Sequence, residues 1–132
     1  MKILVADDDN TSRLLLAATL RRLGHEVFEA KDGQEALDEW EVNGQQLLII
    51  DWIMPVLSGL EVCRKIRAHT PKQRCHVTLL TVRAGTADQL EAREAGVDDF
   101  IVKPFEKEQI AAHVQLAARS IGLHKTSNMQ TS

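Results

Sequence analysis

Residues 47–51 read Leu-Leu-Ile-Ile-Asp, four consecutive apolar residues followed by an acid. Similar short runs recur at 3–6 (Ile-Leu-Val-Ala), 77–80 (Val-Thr-Leu-Leu) and 100–102 (Phe-Ile-Val). A strand with one face in water alternates apolar and polar residues, whereas a run without alternation is typical of a strand buried on both faces. These runs therefore predict a parallel sheet covered by helices. The more polar segment 26–29 (Glu-Val-Phe-Glu) suits an edge strand.

Helix-length segments separate these runs. The polar residues 10–12 supply N-cap chemistry for the first helix, and Gly24 is placed to end it in the left-handed conformation. Ser58 and Thr86 are predicted to cap the third and fourth helices, and Gly96 to stop the fourth. The last helix carries a single apolar stripe. Its members are Ile110, Ala111, Val114, Ala117, Ala118 and Ile121.

Five strands in strict alternation with five helices predict an α/β fold with a doubly wound parallel sheet and right-handed crossovers. The chain has 132 residues, which suits one domain with its own core, and this domain is predicted to span residues 1–122. Residues 123–132 are polar and aperiodic, so they are predicted to be a tail or the start of a linker.

Composition and charge exclude several classes of protein. The net charge of −3 and the absence of a basic stripe give no indication of direct nucleic-acid binding by this domain. The first apolar segment is too short for a signal peptide and no run approaches transmembrane length, so we expect no membrane and a cytoplasmic location. Cys63 and Cys75 lack metal-ligand spacing, and Cys63 shares a helix face with Leu60 and Ile66, which favours a core thiol over a redox role.

Polar residues follow the predicted strands at the point where each one ends. Asp7 and Asp8 follow the first strand, Asp51 ends the third, Thr81 the fourth, and Lys103 follows the fifth. The carboxyl ends of parallel strands form the ligand site of an open α/β sheet, so these side chains are expected to meet at one rim.

That set of groups suits the chemistry of a metal ion and a phosphoryl group. Two or three carboxylates with water form an octahedral oxygen site for Mg²⁺, and an aspartate can itself attack phosphorus. An ammonium group and a hydroxyl would bind the remaining phosphoryl oxygens. An alternative is that the acids at 7–9 only cap the first helix, where negative charge is favourable, but capping accounts for neither Asp51 nor Lys103.

Taken together, these motifs resemble the receiver domain of two-component response regulators. The resemblance rests on Asp7-Asp8, on residues 51–59 (Asp-Trp-Ile-Met-Pro-Val-Leu-Ser-Gly), on Thr81, and on residues 100–105 (Phe-Ile-Val-Lys-Pro-Phe). It covers residues 1 to about 122. It implies a flavodoxin-like fold with strand order 2-1-3-4-5 and helices on both faces of the sheet.

The resemblance also implies a role for each acid. Asp51 would accept a phosphoryl group from a histidine kinase or a phosphotransfer protein. Asp8 and Asp51 would bind Mg²⁺ directly, the backbone carbonyl of Ile53 would be a third ligand, and Asp7 would act mainly through water. Asp9 matches no position of the family pattern and is expected to serve the helix N-terminus.

The resemblance assigns Lys103 and Thr81 to the phosphoryl group, and Thr81 and Phe100 to a switch. Phosphorylation would draw the Thr81 hydroxyl inward, let Phe100 turn into the vacated space, and change the surface of the fourth helix, fifth strand and fifth helix. Phe100 could alternatively be an ordinary edge-strand aromatic. The peptide bond between Lys103 and Pro104 is typically cis in this family.

Two other functions share parts of this pattern. Haloacid-dehalogenase-like phosphatases also form an aspartyl-phosphate, but their nucleophile typically has a second Asp two residues later, where this chain has Ile53. A flavin- or dinucleotide-binding module of similar sheet order requires amides and glycine after the first strand, where this chain has acids. We therefore expect a signalling phosphoacceptor that dephosphorylates itself slowly, rather than an enzyme acting on external substrates.

Slow self-dephosphorylation is predicted from three side chains near the phosphoacceptor. Ile53 has no group that can orient a water molecule, and Val82 is larger than the Ala or Gly common there in the family. Arg83 is a donor only and cannot accept a proton from attacking water. The alternative is that Ile53 and Val82 simply pack on neighbouring helices.

The output of the domain is not encoded in these motifs. It would be either a C-terminal effector domain or a downstream protein, with the chain a monomer or a phosphorylation-dependent dimer. Asp98 and Asp99 match the acids through which receivers of winged-helix transcription factors dimerise. His113 and Gln115, however, stand where the basic partners would be expected.

Overall fold

The computed structural model describes residues 1–69, 75–82 and 85–130. Its strands are β1 (Lys2–Ala6), β2 (Glu26–Ala30), β3 (Leu47–Asp51), β4 (His76–Thr81) and β5 (Asp99–Val102). Its helices are α1 (Asn10–Arg22), α2 (Gly33–Asn43), α3 (Gly59–His69), α4 (Thr86–Glu94) and α5 (Lys107–Gln130). The strands form one parallel sheet in the order β2-β1-β3-β4-β5. The predicted doubly wound fold and strand order are therefore confirmed, with β2 at an edge.

The sheet separates two apolar layers. Alternate residues of each central strand face opposite layers, so that Leu4 and Leu48 pack with α2, α3 and α4, while Ile3 and Ile49 pack with α1 and α5. Both faces of β1 and β3 are buried, which is why their sequences show no alternation. Among the described residues, no helix combines the length and apolar character that a bilayer crossing requires.

The two cysteines belong to the layer on the α3 side of the sheet. Cys63 and Cys75 are both buried and neither is in a disulfide. Burial raises the pKa of the Cys63 thiol to about 11 and that of the Cys75 thiol to about 12. Both thiols are therefore protonated at neutral pH, which confirms the predicted core role of Cys63.

Three of the predicted helix boundaries are confirmed. Gly24 and Gly96 follow α1 and α4 with φ of +92° and +98°. Ser58 forms a reciprocal cap on α3, because its Oγ accepts from the Glu61 amide at 3.1 Å and Glu61 accepts from the Ser58 amide at 3.0 Å. The α1 cap is Asp9, whose carboxylate accepts from the Ser12 amide at 2.9 Å. It lies one residue before the predicted segment.

One other prediction about the helices is wrong. Thr86 is the first residue of α4 rather than its cap, and Gly85 occupies the N-cap position without a side-chain hydrogen bond. The backbone of residues 123–130 continues α5, so the helix extends beyond the predicted apolar stripe. That residues 123–132 form a tail or the start of a linker stays a prediction.

Val56, in the loop between β3 and α3, has a strained backbone. Its φ is +72°, in the left-handed region, and its side chain is 72% exposed, so little packing offsets the strain. A β-branched residue rarely adopts this conformation, whereas asparagine tolerates it. We expect Val56→Asn to raise the free energy of unfolding by about 1 kcal/mol in urea denaturation.

The matched control for this substitution is Val42→Asn. Val42 is 81% exposed and lies in α2, where valine and asparagine have similar helix propensities. Its free energy of unfolding should change by less than about 0.5 kcal/mol. Equal effects of the two substitutions would show that backbone strain at Val56 is not the cause.

Candidate functional site

The carboxyl ends of the strands bring the predicted acids together. Asp7 follows β1 and Asp51 ends β3, the strand beside it. One carboxylate oxygen from each of Asp7, Asp8 and Asp51 lies within 4.8 Å of the other two. Asp7 is 1% exposed, Asp51 is half-buried and Asp8 is exposed, so the cluster runs from the end of the sheet into solvent.

Backbone amides and one ammonium group bind these carboxylates. The Asp9 amide donates to Asp7 Oδ1 at 3.0 Å, and the Ile53 amide donates to Asp51 Oδ1 at 3.2 Å. Lys103 Nζ lies 2.5 Å from Asp51 Oδ2 and 3.4 Å from Asp7 Oδ2. One ammonium therefore contacts two of the three carboxylates, which leaves the rim acidic.

The loops that carry Asp51 and Lys103 are fixed by close backbone contacts. The Lys103 amide donates to the Thr81 carbonyl at 2.8 Å, and the Lys103–Pro104 peptide is cis, as predicted. A Cβ on Gly59 would lie 2.4 Å from the Asp51 carbonyl oxygen. Because only glycine permits this approach, the segment after Asp51 can fold back against the end of β3.

The pKa values of both Asp51 and Lys103 are raised by their surroundings. Burial raises the pKa of Asp51, and the charge of Asp7 adds to this, although Lys103 and the Ile53 amide act the other way. Burial opposes the charge on Lys103, but its contacts with Asp51 and Asp7 outweigh burial and raise its pKa overall. The ammonium is thus held charged, while the charge on Asp51 is unfavourable in the absence of a further cation.

The unfavourable charge on Asp51 predicts that Asp51→Asn stabilises the metal-free protein. An acid whose pKa is raised on folding costs stability at high pH, and the cost disappears once both states are protonated. At pH 7 we expect the substitution to raise the free energy of unfolding, because it removes a charge that burial makes unfavourable. In urea denaturation across a pH series, this advantage should shrink as pH falls through the raised pKa of Asp51 and vanish below its unfolded value. An advantage that grows towards low pH would contradict the assignment.

A cavity of about 210 Å³ opens beside Asp51. Its lining is Asp51, Trp52, Ile53, Thr81, Val82 and Lys103. Ile53 is 62% exposed and Val82 is 69% exposed. These two side chains line the cavity and are largely exposed, which favours the predicted shielding role over packing on neighbouring helices. Arg83, the third side chain of the predicted shield, lies outside the described residues.

The two residues predicted to form a switch lie on adjacent strands. Thr81 is buried at the end of β4, and Phe100 on β5 is partly buried against the layer that contains α3 and α4. The strand register pairs Thr81 with Val102 and Leu79 with Phe100. Phe100 therefore lies two residues from the position opposite Thr81, on the same side of the sheet.

The acids that begin β5 are bound within the chain. Asp98 Oδ2 accepts from Arg67 Nη2 at 2.6 Å and from the Val77 amide at 2.8 Å. Asp99 Oδ2 lies 2.5 Å from Nδ1 of His113 on α5. The sequence pattern suggests that Asp98 and Asp99 could face a second subunit, but it does not reveal these internal partners.

Sequence reasoning also missed Arg13. This arginine is 5% exposed and lies on the buried face of α1 with Leu16 and Leu20. The available signal was its position, three and seven residues before two core leucines, where a charged side chain would have to find partners inside the protein. Its guanidinium contacts the segment that carries Asp7.

The fold and this rim define a flavodoxin-like α/β domain with an acidic, lysine-containing site at the carboxyl edge of its sheet. The chain belongs to the response regulator receiver domain family, whose sequence profile matches residues 3–115. Receiver domains act as signalling phosphoacceptors in two-component systems, generally bind Mg²⁺ and have histidine kinases as partners.

Known proteins of the same family are similar in sequence and structure. Chemotaxis protein CheY1 of Helicobacter pylori is 41% identical over 107 residues, which are 80% of this chain and 86% of that protein. The transcriptional regulatory protein PhoP of Bacillus subtilis is 36% identical over 118 residues, 89% of this chain and 48% of that protein. The structure of Vibrio cholerae CheY4 superposes with a TM-score of 0.83 at 29% identity, covering 88% of this chain and 97% of that one.

Proposed function

We propose that this domain, residues 1–122, accepts a phosphoryl group on Asp51 from a phosphohistidine of a histidine kinase or phosphotransfer protein. The observation that carries the proposal is the contact of Lys103 Nζ with Asp51 Oδ2, 2.5 Å apart, beside a three-carboxylate cluster and an open cavity. Asp51 is the cluster member that also lines this cavity. A phosphoryl donor can therefore approach it from solvent.

The carboxylates fit Mg²⁺ because they are hard oxygen donors that are close together and reach solvent at Asp8. In this proposal Asp8, Asp51 and the Ile53 carbonyl hold the ion, and Asp7 acts through water. When bound, Mg²⁺ offsets negative charge on the carboxylates and on the phosphoryl oxygens. The raised pKa of Asp51 means that its negative charge is unfavourable without a further cation, and bound Mg²⁺ would supply one.

The residues of this chain position the transfer. A carboxylate oxygen of Asp51 attacks phosphorus while the bond from phosphorus to the donor nitrogen breaks. Lys103, fixed by the backbone bond from its amide to Thr81, presents its ammonium group to a phosphoryl oxygen. The Ile53 amide holds the other Asp51 oxygen in place. Orientation and charge, rather than proton transfer, account for most of the expected rate.

Phosphorylation is proposed to change the surface formed by α4, β5 and α5. New phosphoryl oxygens beside Thr81 favour an inward position of its hydroxyl, and Phe100 on the adjacent strand can move into the space that this leaves. The partial burial of Phe100 supports this, because such a side chain can populate a more buried and a more exposed state. An effector domain or a downstream protein would read the difference. The predicted cytoplasmic location remains a prediction.

A Mg²⁺ titration tests the metal site. Trp52 follows Asp51 and lines the cavity, so its emission should change with a dissociation constant of about 1 mM, as expected for a largely hydrated ion. Buried Trp40 gives a constant background, which Trp40→Phe removes. In that background Asp8→Asn should weaken binding by about tenfold or more, because it replaces a charged carboxylate ligand with a neutral amide. No change in emission and no heat on titration would contradict the site.

Two further assays separate the other candidate functions. A phosphatase of the haloacid-dehalogenase type would hydrolyse a chromogenic phosphomonoester with repeated turnover, for which Ile53 offers no acid or base. A flavin-binding module would absorb at flavin wavelengths after purification. The acids at Asp7 and Asp8 argue against it, because phosphates require donors there.

A further inference from the structure

Arg13 lies behind the acidic cluster and binds the backbone that carries it. Its Nη1 donates to the Asp7 carbonyl at 2.9 Å, and its Nη2 donates to Asn10 Oδ1 at 2.6 Å. Its Nε contacts Glu29 Oε1 on β2 at 3.3 Å. One planar guanidinium thus joins the end of β1, the first turn of α1 and the adjacent edge strand.

We propose that Arg13 is a positioning residue for the Mg²⁺ site, an inference that rests on the proposed function. By fixing the turn from Asp7 to Asn10, it holds the carboxylates of Asp7 and Asp8 at the separation that the ion requires. It contacts neither the ion nor the phosphoryl group.

A positioning residue is needed here because the three carboxylates carry like charges. The carboxylates of Asp7, Asp8 and Asp51 repel one another, and exposed Asp8 can relieve the repulsion if its turn moves outward. The bonds from Arg13 to the Asp7 carbonyl and to Asn10 oppose that movement. Because a guanidinium presents its donors in a rigid fork, lysine cannot replace all three contacts.

The charge of Arg13 and its geometry have opposite effects on the metal, which makes the inference testable. Removal of a positive charge near the acids would by itself attract Mg²⁺ more strongly. Loss of positioning would weaken binding, and residues that orient metal ligands typically change affinity by about 10- to 100-fold. The direction of the change therefore distinguishes the two effects.

The experiment measures Mg²⁺ affinity by Trp52 emission, with every variant made in Trp40→Phe. Arg13→Met is expected to weaken binding about tenfold, and Arg13→Lys to restore only part of it. Arg21→Met is the matched control. Arg21 lies on the same helix and donates to Glu29 Oε2 at 3.3 Å and to the Val27 carbonyl at 3.0 Å, but it has no bond to the Asp7 turn. The Mg²⁺ affinity of Arg21→Met should differ from that of the Trp40→Phe background by less than twofold.

A second, charge-balanced variant keeps the inference testable if Arg13→Met folds poorly. Arg13→Met combined with Glu29→Gln removes the charges of both members of this partly buried pair, so neither charge is left without its partner. It should weaken Mg²⁺ binding as much as Arg13→Met does. Denaturant curves without metal identify the conditions in which each variant is fully folded, and affinities are compared there.

Each outcome decides between the alternatives. Unchanged or tighter Mg²⁺ binding in Arg13→Met and in the charge-balanced variant overturns the inference and leaves the proposed function standing. Equal weakening in Arg21→Met also overturns it, because a general loss of α1 packing would then suffice. A wild-type chain that binds no Mg²⁺ overturns the proposed function, and this inference with it.

Discussion

Asp51→Asn is expected to abolish phosphorylation. Incubation of the wild-type chain with Mg²⁺ and a small phosphodonor should add one base-labile phosphoryl group, visible in the intact mass. An amide oxygen is a far weaker nucleophile than a carboxylate, so labelling of Asp51→Asn should fall by at least about 100-fold. The variant should remain folded, since the substitution removes a charge that burial makes unfavourable.

Asp9→Asn is the control for this result. Asp9 directly follows Asp7 and Asp8 in the sequence, but its carboxylate caps α1 by accepting from the Ser12 amide. Asparagine is an equally good cap. Its labelling should match the wild type. Undiminished labelling of Asp51→Asn, or loss of labelling in Asp9→Asn, would assign the phosphoryl group to a different carboxylate.

The second large effect concerns the lifetime of the phosphorylated protein. Hydrolysis requires a water molecule aligned with phosphorus, and Ile53 and Val82, which line the cavity, carry no group that can orient it. Ile53→Asn provides such a group, and Val82→Ala widens the approach. We expect each substitution to accelerate loss of phosphate by about tenfold, less than the roughly 10²- to 10⁴-fold of a positioned general acid or base, because neither new side chain transfers a proton.

The decay is timed by intact mass in Mg²⁺ after removal of the donor. Val42→Asn, which changes an exposed valine on α2, should decay at the wild-type rate. If neither Ile53→Asn nor Val82→Ala decays faster than this control, shielding by the two apolar side chains is refuted. A fast wild-type decay that both substitutions leave unchanged would indicate that loop geometry orients the water.

The arrangement of the sheet and the meeting of the acids were predictable from the sequence. Continuous apolar runs such as 47–50 specify strands buried on both faces, because any polar residue there would lose its water. Once the sheet is parallel, every strand ends at the same edge. Asp7, Asp51 and Lys103 then meet at one rim whatever the details of packing. The helix boundaries at Gly24 and Ser58 were also predictable from the sequence, because a cap acts on backbone groups within one helical turn.

Only the tertiary structure decided which partners the remaining polar groups find. Arg13 binds Glu29, sixteen residues away, and His113 binds Asp99 across the gap between α5 and β5. Neither pairing has a fixed spacing in sequence, because it depends on how a helix packs on a strand. The exposed positions of Ile53 and Val82 beside the cavity also depend on how the loops pack. Burial patterns constrain apolar residues from the sequence alone, but a hydrogen bond between distant segments requires their relative placement to within a few tenths of an ångström.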